Sequence, residues 1–356
     1  MNVSHRPRCL PVSSPTTGSA RFASRRRALR LVLPAVASMA GATLGSLPMA
    51  VRAQSWPARP IRLVIPFPPG GATDVIGRIL AQRLGTQLGQ QVLVENRPGA
   101  GGTLGSDAVA KSAPDGYTLL LATGSTHSVG PALTPGKLPY NAFRDFTPIV
   151  HVANAPSVLV VGRDFPARTL QEAIALMKAA PGRYNFGSSG IGTYPHLGAE
   201  LFKWRAGGLY VVHIPYRGTQ LVIGDLVSGQ VAFLVDSVVS AQPNIRDGRV
   251  RALAVTGLKR APQLPTVPTF AEAGVQGMGL ANWFGLFGPA GLPREVADTL
   301  RREVNAALKA PDLIERFDKI GAEAVGGSAE QFLKTYTEEY ETWKAVIARA
   351  GIKPES

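Results

Sequence analysis

From residue 61 onward, short runs of apolar residues alternate with stretches in which apolar residues recur at helical spacing. That order is expected of α/β sheets whose strands are joined by helices. Residues 61–67 (IRLVIPF) read as a buried first strand. After the turn PPGG, residues 73–89 place Ile76, Leu80, Leu84 and Leu88 on one helical face, with Thr73 or Asp74 available as the N-cap. Strands are predicted again at 91–96 and 117–123, with a helix over 103–112 between them. The pattern restarts after Pro148, with a strand at 158–161 (VLVV), a helix at 169–180 ended by Pro181 and Gly182, and a strand at 184–189. A helix over 194–205, a strand at 211–214, a helix through 221–227 and strands at 231–236, 251–256 and 283–289 follow. Three C-terminal helices close the chain. The last carries Phe332, Tyr336, Tyr340, Trp343 and Ile347 down one face, a spacing that reads as core.

Composition fits two domains built of many short elements. The chain has 356 residues, 45% of them apolar, enough for two cores, while charged residues make up only 17% and Gly 39 and Pro 29 supply turns. No fixed-period repeat interrupts this pattern. The formal charge of +14 changes meaning once it is placed: eight basic residues precede Gln54 and no acidic one does, which leaves 14 less 8, or +6, for the rest. That remainder is scattered, a solvated surface and not a nucleic-acid stripe.

The first 53 residues have the parts of an export signal: the cluster SRRRALR at 24–30, a mild apolar run at 31–51, and V-R-A ending at Ala53. Ser24, Arg25, Arg26 and Leu29 fit a twin-arginine signal, with ordinary secretion and an uncleaved anchor as alternatives; Pro34 and Pro48 make a poor spanning helix. Cys9 is the only cysteine and lies before that run, so the mature chain has no disulfide, no cysteine-ligated zinc, no thiol chemistry and no lipid-anchoring cysteine. A soluble protein outside the cytoplasm is expected.

Several loops could carry chemistry. In PFPPGGATD (66–74), Gly70 and Gly71 allow close backbone approach, and the helix that follows directs N–H groups and its positive dipole end to the same place. An anion suits that place, although the same glycines suit an ordinary strand-to-helix turn. FGSSGIGTYPH (186–196) repeats the logic with Ser188, Ser189 and Thr193 as uncharged hydrogen-bonding groups. RPGAGGTLG (97–105) approaches a dinucleotide fingerprint, but Gly105 falls one place late and no acidic residue ends the strand at 117–123. Arg217, after the strand at 211–214, either pairs with a carboxylate or faces water; Asp236 either meets a ligand at a strand end or caps the helix from Ser237. A serine nucleophile lacks its Gly-x-Ser-x-Gly elbow at Ser188, Ser189 and Ser125, and Asp74 with His196 is the one acid and base pair that an enzyme could use. His127, His151, His196 and His213 show no metal-ligand spacing, so no metal and no cofactor are expected.

Ten segments, in order, carry a resemblance: WPARPIRLVIPFPPGGATD, LGQQVLVENRPGAGGTLG, APDGYTLLLAT, LPYNAFRDFTPI, HLGAELF, VHIPYRG, DLVSGQVAFLVD, RALAVTG, LPTVPTFAEAG and WFGLFGPAGLP. Across essentially the whole mature chain, the sequence resembles Bug-type (TctC-like) solute receptors of the tripartite tricarboxylate transporter family. The resemblance implies a type 2 like periplasmic binding protein fold: two α/β lobes, each a mixed sheet flanked by helices, with a ligand cleft between them. One lobe would comprise 54–156 plus 278–356 and the other 157–277, the chain crossing near Pro156 and Gly277. It implies a non-enzymatic, monomeric periplasmic receptor. Its ligand would be a small carboxylate: a di- or tricarboxylate, an acidic amino acid or an aromatic acid. Membrane permease subunits, or a sensor kinase in a sensing variant, would be its partners, and nucleic acid would not. Carried onto this sequence, the contacts would be Phe67, Gly70, Gly71, Thr73, Asp74 and Ser125 from the first lobe. From the second would come Ser188, Ser189, Gly192, Thr193, His196, Tyr216 and Asp236. Tyr194, Pro195, Ser237 and Gly130 depart from residues usual in the family and bear on selectivity.

Overall fold

The computed structural model describes residues 56–279 and 281–353; the expected export signal, its cleavage point after Ala53, and Cys9 lie outside the described residues. Two strand-helix units open the fold: β1 (Ile61–Ile65), α1 (Ala72–Leu88), β2 (Val92–Asn96), α2 (Thr103–Ala110) and β3 (Thr118–Thr123). A π turn at Ser125–Val129 and the short α3 (Gly130–Leu133) lead to β4 (Phe146–Gly162). The middle of the chain holds α4 (Leu170–Ala179), β5 (Asn185–Ser188), α5 (Tyr194–Arg205), β6 (Val212–Pro215), α6 (Thr219–Val227), β7 (Phe233–Ser237), α7 (Val238–Arg246) and β8 (Val250–Val255). Then β9 (Ala281–Pro289), α8 (Arg294–Leu308), α9 (Pro311–Ile320), the two-residue β10 (Glu323–Ala324) and α10 (Ala329–Ala350) complete it. Among the described residues, no helix is long and apolar enough to cross a membrane.

The strands bond in the order β2-β1-β3-β9-β4-β7-β5-β6, with β10 and β8 each added to β4. Pairing is mixed as expected: β1 runs parallel to β2 and β3, β5 runs parallel to β6 and β7, and β9 and β4 run antiparallel to their neighbours. One strand departs from the sequence reading. Instead of a short strand at 158–161, β4 runs for 17 residues and includes Pro148 and Pro156. Its first part, to Pro156, pairs with β9; from Ser157 it pairs with β7 on one side, and from Val158 with β8 on the other. The register against β9 slips between Pro148 and Val150 and again between His151 and Ala153. Such bulges let a proline, which lacks an N–H, stand within a strand.

Apolar packing follows these pairings. One cluster joins β1, β3 and β9 to α1, α8 and α9, through Ile61, Leu119, Leu286, Leu80, Leu300 and Phe317. Another joins β5 and β7 to α4 and α5, through Phe186, Phe233, Met177 and Phe202. Helix α10 starts with a capping box between Ser328 and Gln331 and touches more than one cluster. Phe332 and Tyr336 pack with Phe287 and Trp283, whereas Trp343, about two turns further along the same face, is buried with Phe186 and Phe202. The predicted aromatic face of this helix is core.

The expected side-chain cap of α1 is corrected. Gly71 is its N-cap, in extended conformation and with no side-chain capping bond, and Thr73 and Asp74 lie inside the first turn. From there the Asp74 carboxylate reaches back and accepts from the Gly70 N–H at 3.0 Å. An acidic group in the first helical turn is favoured by the dipole, and its length suits it better to reach back than to cap.

Candidate ligand-binding cleft

A cleft of about 670 Å³ opens where β1, β3, β5, β6 and β7 deliver their C-terminal ends, the position at which α/β sheets place ligands. Four helices begin at its wall: α1 through Gly71 and Thr73, α5 through Tyr194 and Pro195, α6 through Gly218 and Thr219, and α7 through Ser237. The four starts are not equivalent. In α7 the Ser237 hydroxyl accepts from the Val239 N–H at 3.3 Å, and in α5 the Tyr194 N–H donates to the Ser125 hydroxyl oxygen at 2.8 Å. Helices α1 and α6 begin with no side-chain cap, so their first-turn amides are available to an anion, and in α6 no acidic residue in the first turn offsets the positive dipole end. Hydroxyls of Thr73, Ser125, Ser157, Ser189 and Thr219 stand among them, and Phe67, Pro68 and Leu221 supply apolar wall. Arg217 and Asp236 are the charged residues of the lining.

Of the expected contacts, Phe67, Gly71, Thr73, Ser125, Ser189 and Asp236 line this cleft. Asp236 is fully buried at the end of β7 and accepts from Ser240 Oγ at 2.5 Å. Burial pushes its carboxyl up to about 6, against the opposing hydrogen bonds from Ser240 and the Ser237 N–H. The remaining expected residues stand outside the lining. The Gly70 carbonyl accepts from Gln220 Nε2 at 3.0 Å, which ties the turn before α1 to the first turn of α6. Asp74 is held behind that turn, accepting from Gly70 N–H, from Arg78 Nε at 3.0 Å and from Asn96 Nδ2 at 2.9 Å. Burial opposes ionisation of Asp74, but the bonds from Arg78, Gly70 and Asn96 outweigh it and lower its pKa. It shapes the turn instead of facing the cleft. Asp74→Ala is therefore expected to lower unfolding free energy by about 2 kcal/mol, read by urea denaturation, since it leaves several donors unpaired.

Ser188, Thr193 and His196 form the inner support of the 189–193 turn. Ser188 Oγ accepts from the Gly190 N–H at 3.1 Å and lies 2.7 Å from His213 Nε2; Thr193 Oγ1 donates to the Gly190 carbonyl at 2.6 Å. His196 accepts the Gly192 N–H at 3.2 Å on Nδ1 and stacks on His213 with ring centres 4.1 Å apart. Ser188 is fully buried, and burial lowers the His213 pKa to about 4, so this serine and neutral imidazole are an internal clasp. Gly192 and Tyr216 line a neighbouring, wider groove of about 1950 Å³, where the Tyr216 hydroxyl's other commitment is donation to Asp225 at 2.6 Å. Neither Asp74 nor His196 lines the cleft as an acid and base pair would.

Each of the glycine turns packs closely against a different loop. Gly190 faces Gly101 of the 97–105 loop: a Cβ on Gly101 would lie 2.8 Å from the Ile191 carbonyl oxygen. The 66–71 turn instead meets the start of α6, where a Cβ on Gly218 would lie 2.7 Å from Pro68. Sequence reading also left out Asn282, Gln220, Ser157 and, in the balance, Arg217. Asn282 gives a signal in retrospect: it is a polar residue heading an apolar strand, buried in the cleft lining, with Oδ1 unpartnered among the described residues.

Comparison with known proteins shows the family and the fold. A family profile described as "Tripartite tricarboxylate transporter family receptor" (TctC) matches residues 76–352. Protein BugT of Bordetella pertussis is 39% identical over 304 residues, 85% of this chain and 93% of its own. The structure of Rhodopseudomonas palustris Rpa4515 with adipate superposes with a TM-score of 0.82 at 35% identity, covering 84% of this chain and 100% of that one. MatC (Rpa3494) from the same organism, with bound malate, gives 0.78 at 32% identity over 82% of this chain and 100% of that one. The mixed α/β fold is thus that of two-lobed periplasmic binding proteins.

Proposed function

The chain belongs to the tripartite tricarboxylate transporter receptor family of periplasmic solute-binding proteins, and from that premise we propose that it captures a small carboxylate in the cleft and delivers it to a membrane permease of that transporter class. The observation that carries the ligand class is the pair of uncapped helix starts, α1 and α6, that open on one hydroxyl-lined cleft. A carboxylate there replaces water on amides that the fold leaves without side-chain partners. Each charge-assisted contact contributes about 1.5 to 3 kcal/mol, so three or four reach micromolar affinity after the cost of association. The adipate and malate bound by the two Rhodopseudomonas proteins are carboxylates of this size.

Capture works by closure. Residues 54–156 with 278–356 form one lobe and 157–277 the other, hinged where β4 changes partners near Pro156 and again near Gly277. The bonds Tyr194 N–H to Ser125 and Gln220 to Gly70 join groups from the two sides, so they form only when the lobes are together. A ligand that touches both sides binds the closed state more tightly and shifts the population toward it. The mature protein from Gln54 is expected in the periplasm.

The test is a thermal-shift screen of the mature chain against organic acids, sugars and divalent cations. A carboxylate at about a hundred times its dissociation constant should stabilise the fold by roughly 2.7 kcal/mol, an easily read shift. Silence across all carboxylates with a response to a sugar or a cation overturns the ligand class.

A further inference from the structure

Apart from Asp236, Arg217 is the charged side chain that lines the cleft, and it also lines the neighbouring groove, where Lys137 is the other charged residue. It stands on the turn between β6 and α6, exposed, and among the described residues no hydrogen bond or ion pair engages it. Its position is electrostatically adverse. Gly218 is the N-cap of α6, so Arg217 directly precedes the positive end of that helix, and no acidic residue in the first turn offsets its charge. A cation held there without a protein partner points to an anion supplied from outside. The wall between the two cavities is made in part by Phe67 and Pro68, apolar surface against which a hydrocarbon chain would lie.

We infer that Arg217 selects dianionic ligands: it takes the second carboxylate of an α,ω-dicarboxylate whose first carboxylate lies at the start of α1, among Thr73, Ser125 and Ser189. The inference rests on the carboxylate reading above and narrows it. The first carboxylate is received by amides and hydroxyls that carry no net charge, and these do not distinguish a monoacid from a diacid. The second must be neutralised where the cleft opens toward the groove, and a guanidinium offers a forked pair of donors for that purpose. A monocarboxylate leaves Arg217 in water at no loss. A ligand with an ammonium at its far end meets like charge.

The test pairs ligands of equal carbon number, succinate to suberate against butyrate to octanoate, titrated by calorimetry into the mature wild type, Arg217→Gln and Arg217→Glu. Wild type is expected to favour the best diacid over its monoacid by about 10- to 100-fold, the worth of one charge-assisted pair. Arg217→Gln should erase that preference by weakening the diacid while leaving the monoacid within about twofold. Arg217→Glu should reverse it toward ω-amino acids such as 6-aminohexanoate. Equal weakening of mono- and diacids by Arg217→Gln, or no weakening of either, overturns the inference and leaves the carboxylate reading standing. A wild type that binds neither class overturns the carboxylate reading, and the inference with it.

Discussion

Gly101→Ala is expected to weaken ligand binding by about 100-fold, roughly 2.7 kcal/mol, while the unliganded protein stays folded. Gly101 has φ of 64°, and an added Cβ would lie 2.8 Å from the Ile191 carbonyl oxygen, closer than real Cβ atoms approach. The atom in the way is backbone, held by the Ser188 and Thr193 bonds to Gly190, so it cannot swing aside as a long side chain can. The two loops must separate, and the arrangement in which Tyr194 meets Ser125 is lost with them. Left-handed backbone adds about 1 kcal/mol of strain whether the lobes are open or closed. Gly136→Ala separates the two costs, because Gly136 has φ of 73° and open space around it. The control should lose stability by a similar small amount and bind normally. Calorimetry gives the affinities, and small-angle scattering with ligand should show Gly101→Ala more extended than wild type. Tight binding by Gly101→Ala would mean that these loops do not touch in the liganded protein.

Affinity for a carboxylate is expected to fall about 50-fold between pH 6 and pH 8, approaching a tenfold loss per unit above the pH at which Asp236 would otherwise ionise. With its carboxyl pushed up to about 6 by burial, Asp236 can keep its proton and donate it to the ligand; ionised, it faces the ligand with like charge. The unliganded fold shows the same sign. Between about pH 4 and 6 the unfolded chain has released this proton and the native state has not, so stability declines as pH rises, by about 3 kcal/mol across the window. Glu339, half-buried on α10 and hydrogen-bonded by Trp283 Nε1, has its carboxyl pushed up to about 7 by desolvation and adds a decline of the same sign up to that pH. Asp236→Asn should flatten the binding profile and raise Tm at pH 7, whereas Glu339→Gln should raise Tm without altering the binding profile. Affinity that rises with pH would identify an ammonium group opposite Asp236.

The elements were legible wherever periodicity or punctuation was strong. The glycine turn before α1, the Pro181 and Gly182 stop after α4 and the aromatic face of α10 all carry local signals that tertiary contacts reinforce. The first half of β4 was not legible, because Pro148 and Pro156 read as breaks; the register slip against β9 accommodates Pro148, and Pro156 stands where the strand passes from β9 to β7 and β8. In the cleft, residue types were readable and directions were not. Asp74 and Ser188 occur in the right turns, yet which way each side chain points depends on Arg78, Asn96 and His213, which come from the helix or from other strands. The pairing of Gly190 with Gly101 joins loops some ninety residues apart, and no local pattern reports it. Arg217 was visible as an alternative between ligand and solvent; its place in the lining of two cavities is what tilts that balance.

Because β4 is hydrogen-bonded to β9 along its first part and to β7 and β8 along its last, one uninterrupted segment is structural to both ends of the sheet. Neither end can be dismantled without stripping partners from a strand that the other end also needs. Heating should therefore take the fold through one cooperative transition, and a ligand that binds only the native cleft should raise the midpoint of all of it at once.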